Sequence, residues 1–533
     1  MHRLTRPILG ANVWAARRLS GSRRACAKTP HVCGIAAAIS PDPVWRHEVV
    51  RRALAAIRHR GSAGYEFEVL DFPGAGIEMG TNRLPIVAEA FGRQPAVGPM
   101  RRISVAYNGE IYNAPVLRQR FGLSDPSHAS DSVVLAALLE MLELEDLLGI
   151  LDWEGAFIAH DAERETVSLA RDHLGIKPLY VQETDSGVAI ASEIKALVAV
   201  DPAGGVRPIS PGSFEVYELP GFGTLGGGRL RSRDGSLTEP PADGEILSVI
   251  RAAVHSRVPA EGCAVALSGG LDSALVLALA HETGRPLHPF VLATPDSPDL
   301  PYAQRVCELL GLDLSLIPAP SEADLFHDLA RTVFTTETWQ WQVITHAGPM
   351  MALCAAVSAA GHRVMLTGEG ADELFLGYHR PEKDQTPDDR AARVSALHLT
   401  NCRRLDRVGM AFCIECRVPF LARSVVETAL RVPVESLVRE GQTKVVLRSV
   451  ASSVLPAWLV DRPKLSFATG AGYRYGPHAT GEALFAEALA TLPALPIDGG
   501  WDEVARSDGE RQLVRMFLAN GYGSATYLQE ASL

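Results

Sequence analysis

Ala266-Leu267-Ser268-Gly269-Gly270-Leu271-Asp272-Ser273 closes the apolar run Cys263 to Leu267 and opens a helical pattern from Asp272 to Glu282. Successive N–H groups in a Gly-rich turn at a helix N-terminus form a cradle for an anion such as pyrophosphate. Asp272 adds a carboxylate that suits Mg2+ beside phosphates. The spacing is not that of a GxxxxGK[ST] loop, so transfer of a γ-phosphoryl group is not what it suggests. Around this turn the chain alternates strand and helix. His288 to Ala293, Leu314 to Ile317 and Arg363 to Leu366 read as strands, and Tyr302 to Leu310 and the apolar Pro349 to Ala360 as helices. That alternation predicts a parallel sheet covered by helices, with helical patterns dominating from Asp389 onward.

The strand ending at Leu366 leads into Thr367-Gly368-Glu369-Gly370-Ala371-Asp372-Glu373. Carboxylates just past the carboxyl end of a parallel strand stand where open α/β sheets bind ligands. Glu373 taken alone also reads as an acid complementing a helix N-terminus.

Upstream the rhythm differs. Strands are expected at Cys33 to Ile39, Ile103 to Tyr107, Ala156 to His160, Thr166 to Ala170, Val188 to Ala191 and Ser213 to Tyr217. Helical periodicity appears at Trp45 to Ile57 and Ser132 to Leu142. Strands interrupted by helices indicate an α+β layered domain. Pro220-Gly221-Phe222-Gly223-Thr224-Leu225-Gly226-Gly227-Gly228 and Pro240-Pro241 then mark a linker. The expected division is an extension over 1–32, a first domain over 33–219, a linker over 220–244 and a second domain over 245–533.

The first domain holds the parts that amide hydrolysis through a thioester requires. Cys33 begins the first strand and supplies a nucleophile; as an N-terminal residue it would use its own α-amine as base, which titrates near about pH 7.7 to 8. The Asn108 side-chain N–H and the Gly109 backbone N–H could form an oxyanion hole, glycine allowing close approach. Arg83, in Asn82-Arg83-Leu84-Pro85-Ile86-Val87, could grip an α-carboxylate, and Asp131 an α-ammonium. Singly, each has an ordinary reading: a core thiol, a solvated arginine, an Asn-Gly turn.

In this order the segments resemble the N-terminal-nucleophile glutaminase domain of class II glutamine amidotransferases. Ala170-Arg171-Asp172-His173-Leu174-Gly175-Ile176-Lys177-Pro178-Leu179-Tyr180 and Ala191-Ser192-Glu193-Ile194-Lys195-Ala196-Leu197 resemble the asparagine synthetase branch. The SGGLDS turn is similar to the PP-loop of ATP pyrophosphatases. Ser297-Pro298-Asp299-Leu300, Arg404 to Ala411, Arg417 to Leu421 and Arg462-Pro463-Lys464 extend the likeness over roughly residues 33 to 530.

The resemblance implies a fold and a division of labour. An α+β N-terminal-nucleophile glutaminase sandwich (αββα) precedes an α/β parallel-sheet PP-loop synthetase domain with a helical C-terminal part. Cys33 would be the nucleophile and Asn108 and Gly109 would steady the oxyanion. Arg83, Leu84, Pro85, Ile86, Val87, Asn108, Gly109, Glu110 and Asp131 would hold L-glutamine. Ala266, Ser268, Gly269, Gly270, Asp272, Ser273, Leu292, Thr367 and Gly368 would bind ATP, with Asp272 and Asp372 holding Mg2+. Glu369 would help deprotonate ammonium, and Lys464 would steady charge on adenylate and pyrophosphate. The implied reaction is glutamine-dependent amidation of a carboxylate, L-aspartate by family default, through an acyl-adenylate.

The acceptor segment departs from the family pattern. Gln342-Val343-Ile344-Thr345 stands where aspartate-specific members commonly carry Thr-Thr-Ile-Arg, and Pro419-Phe420-Leu421-Ala422 replaces a Pro-Phe-Leu-Asp ending. Losing a guanidinium removes a bidentate carboxylate partner, which makes another carboxylic acid a competitor for aspartate. Trp339 and Trp341 read as pocket walls or as core packing, the commoner fate of Trp. The other readings are a specialised biosynthetic amidotransferase, a β-lactam-synthetase-like cyclising ligase, whose relatives lack the glutaminase cysteine retained here, and a non-catalytic scaffold.

Composition agrees with a globular enzyme. The 533 residues are 47% hydrophobic and 21% charged with net charge −11, which argues against nucleic acid as a partner. No window approaches the unbroken apolar stretch that spans a bilayer, and a cytoplasmic location is expected. A homodimer is compatible with the resemblance. Eight cysteines are too sparse for a disulfide scaffold, and Cys413-Ile414-Glu415-Cys416 lacks a second CxxC to complete a zinc site. Residues 1–32 carry seven basic residues and no acidic one, as in a transit peptide or propeptide, or in upstream sequence translated from a wrong start, an internal GTG start codon being readable as Val32.

Overall fold

The computed structural model describes residues 33–61, 68–72, 74–82, 93–125, 130–219, 223–229, 239–378, 386–463, 465, 470–471, 501, 504–505, 508–525 and 528. Residues 1–32, the expected glutamine contacts Arg83, Leu84, Pro85, Ile86 and Val87, and Lys464 lie outside the described residues.

Among the described residues, twelve strands build two antiparallel sheets. They are β1 (Gly34–Ile39), β2 (Glu68–Phe72), β3 (Ile77–Asn82), β4 (Ala96–Val97), β5 (Ile103–Ile111), β6 (Trp153–Asp161), β7 (Thr166–Arg171), β8 (Tyr180–Thr184), β9 (Gly187–Ala191), β10 (Val206–Pro208), β11 (Ser213–Glu218) and β12 (Thr224–Arg229). One sheet runs β10-β8-β9-β1-β3-β2 and the other β12-β11-β7-β6-β5-β4. Alternation along β1 decides the layering. Ile35, Ala37 and Ile39 join Ala106, Ala156, Ile158 and Leu169 of the facing sheet in one core, while Ala36 and Ala38 turn outward to Val49, Val50, Ala53 and Leu54. Those four lie on helix α1 (Pro43–Ala56), which Asp42 caps by accepting the Val44 and Trp45 N–H groups. Helix α2 (Asp131–Met141) covers the opposite face, with Val134, Leu135 and Leu138 against Val105 and Phe157. The order is helix, sheet, sheet, helix, as the glutaminase resemblance implies.

Residues 224–229, expected in a linker, instead pair with β11 as β12. Helix α3 (Asp243–Arg257) then leads to the second sheet system, β13 (Cys263–Ala266), β14 (Leu287–Ala293), β15 (Ser315–Pro318), β16 (Val364–Leu366) and β17 (Glu415–Arg417). Its order is β15-β14-β13-β16-β17, and every pairing is parallel. Helix α4 (Leu271–His281) follows β13 directly, so the Gly-rich turn lies at a strand's carboxyl end and a helix's amino end together.

Helix α5 (Trp341–Ala359) is long and apolar enough to cross a membrane, against the expectation from sequence. Half of that apolar window is buried inside the protein, where Ala347, Met350, Cys354 and Val357 enter the main core, so α5 is a core helix here. Trp339 is buried edge-on to Trp501 (5.0 Å) and Phe517 (4.8 Å), which answers the aromatic question in favour of packing.

Candidate active sites and the contact between them

The first site gathers around the start of β1. Cys33 is buried, and the Gln94 amide nitrogen lies 3.8 Å from its Sγ. Gln94 Oε1 accepts the Tyr107 N–H at 2.7 Å, which ties the thiol to the residue preceding Asn108 on β5. The Asn108 Nδ2 is buried and has no hydrogen-bond partner among the described residues. A buried donor left without an acceptor is costly unless a ligand supplies one, and an oxyanion would. Gly109 has φ +152, and a Cβ there would lie 2.1 Å from the Glu154 carbonyl oxygen and 2.6 Å from Gly155 Cα. Only glycine fits.

Asp131 begins α2 and accepts the Ile111 N–H at 2.6 Å. Burial lifts its carboxyl to about 7, against the pull of that N–H and of Arg417. Glu110 is raised well above the usual carboxylate range by burial, although Arg417 stands 3.3 Å away. Cys33, Asn108, Gly109, Glu110 and Asp131 thus share one end of the sandwich.

The second site is built on the parallel sheet. Ser268 N–H donates to Ser273 Oγ (3.1 Å), the two hydroxyls are 3.1 Å apart, and Gly270 N–H donates to Ser268 Oγ (3.3 Å). These bonds fix the turn between β13 and α4. Gly269 has φ +72, with a Cβ position 2.5 Å from the Asp299 carbonyl oxygen. Arg462 donates to the Gly269 carbonyl at 2.5 Å and pairs with Asp299, bracing the loop from behind. Gly368 presses on the same turn, its Cβ position 2.9 Å from Ser273 N. Ala266 ends β13 and Leu292 is the last residue but one of the neighbouring β14, and the buried Thr367 hydroxyl has no partner among the described residues.

Asp272 and Asp372 converge. Lys444 Nζ lies 2.6 Å from both Asp272 carboxylate oxygens and 2.5 Å from Asp372 Oδ1. Two carboxylates meeting at one point make an oxygen set for a hard cation, so these residues fit Mg2+. Among the described residues no group of three or more His, Cys, Asp or Glu could hold a metal, which leaves the remaining coordination to phosphate and water. Glu369 accepts hydrogen bonds from Asn401 Nδ2 (2.8 Å) and Arg404 Nη2 (2.7 Å); Asn401 also reaches Glu373 at 3.1 Å. Burial, with Asp372 and Glu369 nearby, lifts Glu373 to about 7.

Helix α6 (Asn401–Ala411) touches both sites. Arg404 holds Glu369, and Asp406 takes both terminal nitrogens of Arg60 at 2.7 and 2.9 Å. Arg60 Nε in turn donates to the Cys33 carbonyl at 3.2 Å. Around this strap, Arg60 also meets Glu193 (2.7 Å), Lys195 meets Glu193 (2.5 Å) and Glu337 (3.0 Å), and Arg407 meets Glu337 (2.8 Å) and Asp406 (2.7 Å).

A glutamine amidotransferase domain model matches residues 32–207, and an asparagine synthase model matches residues 245–399 and 391–502. Asparagine synthetase B [glutamine-hydrolyzing] of Escherichia coli K12 is 31% identical over 428 residues, which are 74% of this chain and 74% of that protein. The chain belongs to the glutamine-hydrolysing asparagine synthetase family. Asparagine synthetase [glutamine-hydrolyzing] 1 of Arabidopsis thaliana is 30% identical, covering 83% of this chain and 79% of that protein. The Cricetulus griseus asparagine synthetase [glutamine-hydrolyzing] is 29% identical, covering 82% and 84%. A solved glutamine phosphoribosylpyrophosphate amidotransferase from B. subtilis overlaps 53% of this chain and 90% of that one at 14% identity and a TM-score of 0.33, too low to carry an argument.

In this asparagine synthetase relative, Gln94 and Lys444 were not read from sequence, and Arg60 and Asp406 had no role assigned to them although their segments were singled out. Arg60 and Asp406 are 346 positions apart, so no local pattern joins them. Cys413 and Cys416 are both buried.

Proposed function

We propose that the protein makes L-asparagine from L-aspartate, L-glutamine and ATP, releasing L-glutamate, AMP and pyrophosphate. One observation carries the reading: the single helix α6 holds the Cys33 backbone through Asp406 and Arg60, and Glu369 of the second site through Arg404. Cys33 Sγ attacks the glutamine side-chain amide, and Asn108 Nδ2 and Gly109 N–H receive the oxyanion. The Cys33 α-amine serves as base, so the active chain begins at Cys33. Ammonia leaves, and water hydrolyses the thioester to glutamate. Asp131, Glu110 and Arg83 hold the glutamine.

In the other domain the aspartate side-chain carboxylate attacks the α-phosphate, and pyrophosphate departs into the cradle of Ser268, Gly269, Gly270 and Ser273. Ala266, Leu292, Thr367 and Gly368 line the nucleotide's place. Asp272 and Asp372 would hold Mg2+, whose charge neutralises the departing pyrophosphate. Glu369 takes a proton from incoming ammonium, Lys464 steadies the adenylate, and ammonia displaces AMP. The division follows residues 33–219 and 245–533, and the site of action is the cytoplasm.

The test is pyrophosphate release with ATP, Mg2+ and glutamine across a set of carboxylic acids. Aspartate-dependent release with asparagine as product is expected. Release only with a different acid would replace the acceptor, and none with any acid would remove the ligase.

A further inference from the structure

We propose that Lys444 is a placeholder cation: its ammonium holds Asp272 and Asp372 together before Mg2+ arrives, then transfers to the phosphates when the metal takes its place. The inference rests on the reading of these two aspartates as the Mg2+ and ATP site.

The geometry carries it. Lys444 is 1% exposed at its side chain, and its Nζ contacts three carboxylate oxygens on two elements at 2.5 to 2.6 Å. Two carboxylates only 13% and 15% exposed that face one point repel each other, and holding them there without a cation is unfavourable. Some cation must be there in every state of the enzyme, and the chain provides one. Its delivery is specific. Lys444 caps helix α7 (Val445–Ala451) from a left-handed backbone, φ +58 and ψ 31, which a non-glycine residue adopts only where its surroundings enforce it. Gly377 opens the slot, because a Cβ there would stand 2.4 Å from Lys444 Cε and 1.8 Å from Asp372 Oδ1.

The same contacts require the ammonium to move. A hard divalent ion bound by Asp272 and Asp372 would occupy the point that Nζ now holds, and two cations cannot share it. Lysine suits the exchange better than arginine, being a compact charge on a flexible stem with three rotatable donors. The displaced ammonium has a destination, since the phosphates of ATP arrive at the adjoining turn, where Asp272 and Ser273 open α4. Lys444 is therefore a positioning residue for the metal and a binding residue for the nucleotide, and these roles have opposite signatures when it is removed.

Lys444→Met, in the full-length enzyme, separates them by calorimetry. With Mn2+ as the metal probe and no nucleotide, the variant is expected to bind metal at least tenfold more tightly than wild type, because no ammonium has to leave. With saturating Mg2+ and α,β-methylene-ATP as the nucleotide probe, it is expected to bind at least tenfold more weakly. Glutamine hydrolysis without ATP reports that the variant is folded; if it is not, Lys444→Gln, which keeps a donor without the charge, replaces it. Metal affinity unchanged or weakened in a folded variant overturns the proposal while leaving the ATP reading intact. Failure of the wild type to bind the nucleotide probe at all overturns both.

Discussion

A methyl group at Gly109 would stand 2.1 Å from a backbone oxygen that cannot move without parting β5 from β6. Gly109→Ala is expected to cost roughly 2–4 kcal/mol, from strain and overpacking, and to reduce glutamine hydrolysis at least a hundredfold, read by glutamate release. Cys33→Ala should abolish glutamine-dependent synthesis and leave ammonia-dependent AMP formation; equal loss with both donors would contradict two separate sites. Asp131 makes a pH prediction. Its folded value of about 7 lies above the ordinary 3.8, so the native state without ligand holds a proton that the unfolded state releases. Its contribution therefore lowers stability as pH rises from about 4 to 7, the reverse of a salt-bridged aspartate. Under the proposed pairing of Asp131 with the glutamine ammonium, the ionised form is favoured, so glutamine affinity should tighten as pH rises, by up to about tenfold per unit below pH 7. Calorimetry in two buffers of different ionisation enthalpy should show proton release, and a flat affinity profile would refute it.

At the scale of elements, one motif proves structural. Asp172 accepts N–H bonds from Gly155 (3.1 Å), Leu174 (3.2 Å), Ile176 (2.8 Å) and Lys177 (2.9 Å), while Arg171 donates to the carbonyls of Lys177, Ile209 and Gly175. Asp172→Ala strands buried donors at about 1–3 kcal/mol each, so a loss of at least about 3 kcal/mol by denaturant titration is expected. Helix α6 has a comparable burden. Asp406→Ala removes one side of a buried pair, at about 3–5 kcal/mol, and should lower glutaminase and ammonia-dependent rates together, since Arg60 and Arg404 lean on the same helix. A change in only one rate would show that α6 does not serve both sites. The unbroken apolar run of β1, buried on both faces, and the strand-turn-helix around Ser268 were legible because their signals are contiguous. Strand β17 was not, because two of its three residues, Glu415 and Arg417, are charged and give no apolar run. They are buried only because they face one another (2.7 Å) and Glu110, a condition no hydropathy pattern encodes. Strand β12 was missed because three glycines in a row signal a loop, and only pairing with β11 overrides that.

Across the whole molecule the two domains meet through buried charge as well as through an apolar cluster that joins Val49 and Leu197 to Val333 and Trp339. Arg60, Glu193, Asp406, Arg407 and Glu337 are all at most 2% exposed at their side chains. Surface ion pairs weaken over a Debye length of about 8 Å at 0.15 M salt, but enclosed ones are screened much less. The thermal midpoint should therefore move little between low and molar NaCl, and a single unfolding transition should persist. Separation into two transitions at high salt would show that the contact is more open than its burial indicates.

The first domain's outer layer also draws on the far end of the chain. Ala36 and Ala38, Val49 and Val50 of α1, and Ile194 and Leu197 share one apolar cluster with Leu513, Val514, Phe517 and Tyr522. Roughly 300 residues separate Leu219 from Phe517, which a ribosome working at about 5–20 residues per second delivers in about 15–60 s. For that interval the nascent sandwich shows greasy surface with nothing yet made to cover it. The helix that carries Leu513 and Phe517 (Asp508–Ala519) is thus a clasp that closes only after the second domain has been made, and a message cut short upstream of Leu513 yields a protein whose aggregation starts in its first domain.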